Sequence, residues 1–373
     1  MKKSVFIYSE DLSTHVLSDI HPMKPIRLKQ TYELLQAYKA FEPNNVSLQA
    51  PLPASTEDLL TFHSPEYISA VENVNDGNLA EDAISFNLGP GDNPIYKNIF
   101  DASLLSTGGS LVAAKMLETG KVDRAFNISG GLHHAMPGYA YGFCVFNDPV
   151  IAIKHFLQKG LKVAYVDIDC HHGDGVQHAF YDTDAVLTIS IHESGQYLFP
   201  GTGWVEELGT GKGRGYSVNL PLHPYTSAEI IVWAFNQTVL QLIDKFNPDI
   251  LVTQLGIDSH FNDPITHLNQ TARGFETIIK EFDKLPYPWL AVGGGGYDTM
   301  AVARCWSIAF AIMSKQNLPT KIPTQYSDKY NVDTIYDPQT PYIDPDYKAA
   351  IKSYAENSVL GIQKMIFPTF GIR

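Results

Sequence analysis

Short apolar runs alternate along the chain with longer stretches that mix apolar and polar positions. Five runs rich in β-branched and aromatic residues, at 125–128, 162–168, 186–191, 250–255 and 289–292, have the length and composition of buried strands. Met1-Lys2-Lys3-Ser4-Val5-Phe6-Ile7-Tyr8 reads as an opening strand. Between these runs, residues 103–117, 149–158, 227–246 and 271–285 read as helices. Strands alternating with helices predict crossover units, hence an α/β fold with an open, mostly parallel β-sheet flanked by helices on both faces. No internal repeat or low-complexity linker divides the chain. From about residue 318 it turns rich in Pro, Tyr and Asp, which predicts an irregular extension packed on the surface, with one helix near 345–358. The expected organisation is one main unit over 1–317 and a C-terminal extension over 318–373 packed on the same domain.

The polar pattern singles out one end of the strands. Run 125–128 leads into Gly130-Gly131-Leu132-His133-His134, and run 162–168 into Asp169-Cys170-His171-His172-Gly173-Asp174. Run 250–255 leads into Gly256-Ile257-Asp258, and run 289–292 into four glycines and Tyr297. Ligands of open α/β sheets bind beyond the C-terminal strand ends. Four such ends therefore converge on one crevice.

Residues two apart on a strand share a face, so Asp169 and His171 address the same point. A carboxylate and an imidazole suit zinc, and a third ligand, Asp258, would leave the open coordination position a catalytic site needs. Any one of these acids alone reads as a helix cap or turn residue; the set together points to a metal. His133 and His134, in tandem after a Gly-Gly turn, are general acid/base candidates. Each needs a carboxylate on its other ring nitrogen, and Asp167 and Asp174 are surplus to the metal. Tyr297 either closes a flexible turn or presents a phenol to the oxygen that gains charge in a tetrahedral intermediate. The Gly-rich segment 209–215 has no Ser or Thr after Lys212, so it is not a phosphate-binding P-loop. Neither an HExxH nor a Gly-x-Ser-x-Gly motif occurs, and nothing marks Cys144 or Cys170 as a nucleophile.

Composition narrows the class. A chain of 373 residues, 44% of them hydrophobic, can bury a large core. A net charge of -13 and no Lys/Arg cluster argue against a nucleic-acid partner. Three scattered cysteines suit a reducing compartment, and the N-terminus does not read as a signal peptide. With no apolar stretch approaching the ~18 residues of a membrane span, the expectation is a cytoplasmic protein without a membrane partner.

Several motifs occur in order: His21-Pro22-Met23-Lys24-Pro25-Ile26-Arg27, Gly130 to His134, Gly142-Phe143-Cys144, Asp167 to Gly175, Phe199-Pro200-Gly201-Thr202-Gly203, Asp258, and Gly293 to Tyr297. With them the chain, from about Tyr8 to Trp306, resembles the zinc-dependent histone deacetylase family. The likeness is to its class I members, its bacterial acetoin-utilisation deacetylases and its histone deacetylase-like amidohydrolases. The resemblance implies the arginase/deacetylase-type fold and hydrolysis of N-epsilon-acyl-lysine in a protein or peptide substrate. It implies zinc on Asp169, His171 and Asp258, with ferrous iron left open as the metal in the cell. It makes His134, paired with Asp174, the general base and acid, and His133, paired with Asp167, an electrostatic partner. Tyr297 would polarise the substrate carbonyl. Gly142, Phe143 and Phe199 would line a tunnel for the acyl-lysine stem, and Asp92 would grip the substrate backbone at the rim. One potassium site is implied on Asp167, Asp169, His171, Ser190 and Ile191, and a second on Phe180, Thr183, Val186 and Tyr216. Arg27 matches an internal arginine near an exit channel for the acyl product, and Leu132 stands where many eukaryotic relatives carry an aromatic. The rival readings are an acetylpolyamine amidohydrolase, an arginase-like two-metal hydrolase and a non-catalytic acyl-lysine-binding scaffold. Oligomeric state is left undetermined.

Overall fold

Eight strands form one sheet in the computed structural model, which describes residues 2–14, 17–18 and 20–372. Met1 and Arg373, named above at the two chain ends, lie outside the described residues. The strands are β1 (Ser4–Ile7), β2 (Val46–Gln49), β3 (Arg124–Asn127), β4 (Val163–Asp167), β5 (Val186–Glu193), β6 (Ser217–Leu222), β7 (Ile250–Gln254) and β8 (Trp289–Val292). Their order is β2-β1-β3-β8-β7-β4-β5-β6, and every neighbouring pair is parallel. The sheet is thus wholly rather than mostly parallel.

Parallel strands covered on both faces should be apolar throughout, and β3 to β8 are buried at every position. Alternation divides them between two cores. Phe126, Ala164, Val166, Leu251, Trp289 and Ala291 face one layer, with helices Ile26–Ala37, Ala228–Phe246, Ala272–Lys284 and Thr299–Met313. Ala125, Val163, Tyr165, Val252, Leu290 and Val292 face the other, with helices Ile99–Glu118 and Asp148–Gln158.

Strands β2 and β6 escape the sequence pattern because both are edges. Strand β2 is half exposed, and β6 carries Asn219 and Pro221, residues depleted from central strands but tolerated at an edge. Helix Thr299–Met313 is almost entirely buried, so it shows no polar face to mark it. The extension is less irregular than expected. It holds helices Thr324–Tyr330 and Pro345–Met365, and the second runs past the expected end near 358. That helix packs along β6 and helix Ala228–Phe246, with Ser358 Oγ donating to the Pro221 carbonyl at 2.8 Å.

The order β3-β8-β7-β4 explains the crevice. It sets side by side the four strands whose C-terminal ends carry the unusual residues. No described helix is long and apolar enough to cross a membrane.

Candidate active site

Just past β4 and β7, Asp169, His171 and Asp258 each offer one donor atom, all within 4.8 Å of one another and all buried. His171 Nδ1 lies 3.1 Å from Asp169 Oδ1 and 3.0 Å from Asp258 Oδ2. The second oxygen of each carboxylate is tethered. Asp169 Oδ2 accepts from the Gly295 N–H and from Gln254 Nε2, both at 2.7 Å, and Asp258 Oδ1 accepts from the Cys170 N–H at 2.6 Å. Each side chain is thus oriented by one atom and presents the other. Burial, then the charge of Asp169, pushes the Asp258 carboxyl up to about 8. Two facing buried carboxylates are costly unless compensated. One nitrogen and two oxygens converging in a closed pocket fit a divalent cation of the zinc type, which would supply that compensation.

The tandem histidines close the next side of the crevice. His133 Nδ1 meets Asp167 Oδ2 at 2.7 Å, His134 Nδ1 meets Asp174 Oδ1 at 2.6 Å, and the two Nε2 atoms lie 3.0 Å apart. Their environments push them in opposite directions. Burial would lower His133, but Asp167 and then Asp169 outweigh it and hold the imidazole up at about 9. Burial, reinforced by His133 and His171, drives His134 well below its usual value. Near neutral pH the geometry therefore pairs a charged His133 with a neutral His134. Burial pushes Asp174 up to about 7.

Two residues that the sequence reading passed over hold this turn. Asp148 Oδ1 accepts the N–H groups of Gly131 and Leu132, both at 2.9 Å, and Asn147 Nδ2 donates to the carbonyls of His133 and Ala135, both at 3.0 Å. Their signal is Asn-Asp-Pro opening a helix, with Asn147 as its cap. Gln254, on β7, is the third omission; an interior strand glutamine with no charge gave nothing to find.

A small cavity is lined by His133, His134, Asp169, His171, Gly295 and Tyr297. Burial, then Asp258 and Asp169, raises the Tyr297 phenol well above its usual value, so it stays a hydrogen-bond donor. Gly131, at φ 90°, packs so closely on the Gly293–Gly294 backbone that a Cβ would come within 2.6 Å. The glycine runs thus bring the β3 and β8 ends together. Phe143 packs edge-on to Tyr297 with centroids 5.8 Å apart, and Phe199 lies 5.0 Å from His134. Gly142, at φ 51°, lies against His134, where a Cβ would stand 2.5 Å from the ring. Tyr141, 4.8 Å from Phe199, extends that wall and was not singled out from sequence.

Asp92 stands exposed, outside the buried cluster, its carbonyl in contact with His21 Nε2 at 3.2 Å. Ser190 and Ile191 lie on β5, where Ser190 pairs in register with Asp167. Val186 begins that strand, Phe180 and Thr183 lie in the segment before it, and the Tyr216 carbonyl accepts the Thr188 N–H at 2.9 Å. The two expected potassium sets therefore share β5, one at Ser190 and Ile191 and the other at Val186, with their remaining members at the end of β4 and in the segments before β5 and β6. Arg27 is buried, donates to the Gly296 carbonyl at 2.9 Å, and lies against a neighbouring cavity of about 70 Å³ that Leu132 and Met23 also line.

Known proteins share this arrangement's sequence and fold. The family described as histone deacetylase domain matches residues 21–313. The acetoin utilization protein AcuC of Bacillus subtilis is 40% identical over 338 residues, covering 88% of this chain and 87% of its own. Histone deacetylase 1 of Homo sapiens is 36% identical over 353 residues, 94% of this chain and 70% of its own. The crystal structure of a histone deacetylase homolog from Aquifex aeolicus superposes with a TM-score of 0.86 at 29% identity, covering 96% of this chain and all of that one.

Proposed function

The chain belongs to the histone deacetylase domain family, and from that premise we propose that it hydrolyses N-epsilon-acyl-lysine in proteins or peptides, releasing a carboxylate. The observation that carries this reading is the pair of histidine–aspartate dyads facing a three-donor cluster and a phenol across one small cavity.

Asp169, His171 and Asp258 would hold the metal, zinc in this reading, with ferrous iron as the alternative. Once bound, such a cation supplies Lewis acidity, polarising an amide carbonyl and making water more acidic. The remaining work falls to side chains. His134, neutral at Nε2 and oriented through Nδ1 by Asp174, takes the proton of the attacking water and returns it to the leaving lysine amine. His133, held charged by Asp167, favours the negative charge that develops in the intermediate. Tyr297 donates to the oxygen that carries this charge. Gly142, Phe143 and Phe199 flank the lysine stem and exclude water, and Asp92 is the rim acid for the substrate backbone. Potassium on Asp167, Asp169, His171, Ser190 and Ile191, and on Phe180, Thr183, Val186 and Tyr216, belongs to the same reading. So does a reducing, cytoplasmic setting, which the three buried free thiols support.

A panel of acyl-lysine peptides and acetylpolyamines, assayed with and without a chelator, tests the proposal. Acetyl-lysine peptides should be cleaved, cleavage should stop on chelation, and zinc should restore it. Faster turnover of acetylspermidine than of every peptide would replace the substrate with a polyamine. Peptide binding without carboxylate release would make the protein a scaffold.

A further inference from the structure

Asp337 lies beyond the matched family region, which ends at residue 313, yet it is one of the most heavily bonded carboxylates of the fold. Its Oδ1 accepts from His260 Nε2 at 2.9 Å and from Arg304 Nη1 at 2.8 Å, and its Oδ2 accepts the Ala272 N–H at 2.7 Å. The His260 side chain is fully buried, and those of Arg304 and Asp337 nearly so. Burial would raise the Asp337 carboxyl, but the bonds from His260 and the Ala272 N–H, with the charge of Arg304, hold it down at about 2.

What it joins is more telling than how strongly. His260 lies in the loop that follows Asp258, and that loop makes two further contacts with the site. Thr266 Oγ1 donates to the Asp258 carbonyl, and Asp263 Oδ2 accepts the Tyr297 N–H at 2.8 Å. Arg304 lies on helix Thr299–Met313, which begins directly after Tyr297 and Asp298. The third acceptor bond reaches the first residue of helix Ala272–Lys284, where the same loop ends. One carboxylate therefore pins the Asp258 loop at His260 and at its exit, and ties it to the helix behind Tyr297.

We propose that Asp337 is a positioning residue, through which the C-terminal extension holds the Asp258 donor and the Tyr297 phenol in register. The inference rests on the roles given to Asp258 and Tyr297 above. Ion-pair chemistry supplies the reason for a charged device here. A carboxylate with three donors, one of them a guanidinium, has a narrow angular tolerance, whereas apolar packing lets elements slide. Groups that orient metal ligands from behind typically change metal affinity by 10–100-fold when removed.

The test uses the full chain. Asp337→Asn keeps the volume and one acceptor but loses the charge. It should weaken zinc affinity, measured by competition with a fluorescent chelator, by about tenfold, and lower kcat on an acetyl-lysine peptide while KM stays within about twofold. Ile362→Ala is the stability control, because it opens a cavity in the extension far along the chain from Asp337. It should lower Tm yet leave zinc affinity and kcat unchanged. If Asp337→Asn does not accumulate as folded protein, His260→Leu cuts the same link from the other side and should give the same pattern. The proposal is overturned if the folded variant keeps wild-type zinc affinity and kcat, or if Ile362→Ala at equal loss of Tm reproduces both effects. Asp258→Ala separates failure of the underlying reading. Should that variant still bind zinc and turn over, the site assignment itself is wrong, whatever Asp337 does.

Discussion

At the scale of single residues, the site works by setting like groups apart. His133 and His134 are adjacent in sequence and share one residue type, yet Asp167 and Asp169 hold the first up at about 9, against burial, while burial drives the second down. In the proposed mechanism the reactive form has Asp174 ionised, His134 neutral and His133 charged. Lowering the pH through about 7 protonates Asp174, which burial has raised, and removes the charge behind His134 Nδ1. Raising it through about 9 discharges His133. The kcat/KM profile should therefore be bell-shaped between limbs near those two values, and Asp174→Asn should displace the acid limb. A flat profile would show that the dyads do not govern turnover. Tyr297→Phe removes a single hydroxyl, so kcat should fall by roughly 10²–10³ with bound metal unchanged. Wild-type turnover in that variant would end the oxyanion role for the phenol.

At the scale of elements, the glycine runs determine whether the strand ends can close on one another. A Cβ on Gly295 would overlap the Asp258 carboxylate and come within 2.9 Å of Asp169. Gly295→Ala should therefore weaken metal binding by about 10–100-fold, read by chelator competition, with far-UV circular dichroism unchanged. The sequence marked these runs as strand-end features because Asp, His and Gly interrupt otherwise apolar strands, and interruptions are visible. It did not mark β6 or helix Thr299–Met313. The first carries Pro221 as an edge strand can, and the second is buried on nearly all sides, so neither shows the periodicity of its type. Asn147, Asp148 and Gln254 were missed for a different reason. Asn-Asp-Pro marks a helix cap and no more, and the bonds these three make to the backbone and carboxylates of the site join distant positions, which leaves no local spacing to read. Asp148→Asn tests the consequence. It substitutes an amide for the carboxylate that receives Gly131 and Leu132, and kcat should drop about tenfold, as for other outer-shell partners, with KM and metal content retained.

At the scale of the molecule, the three-donor cluster lies where β4 and β7 end, next to the ends of β3 and β8, so metal binding should report on the whole fold. A ligand that binds only the folded state stabilises it by about 4 kcal/mol at a thousandfold excess over Kd. Chelation should therefore lower Tm by roughly 5 °C in differential scanning fluorimetry. An unchanged Tm would mean that no tightly bound metal had been present. The other molecular feature is the helix lying along β6. A parallel sheet has two open edges, and each is a row of unpaired peptide groups able to recruit a foreign strand. At β6 that row meets Pro221, which lacks an N–H, and the helix Pro345–Met365, whose Ser358 engages the Pro221 carbonyl. The segment past the family region should therefore also guard against self-association. A chain cut at residue 313 would uncover both the β6 edge and the apolar surface that Ala355, Val359 and Ile362 cover. Such a fragment should form concentration-dependent aggregates in light scattering under conditions where the full chain scatters as a constant-mass species.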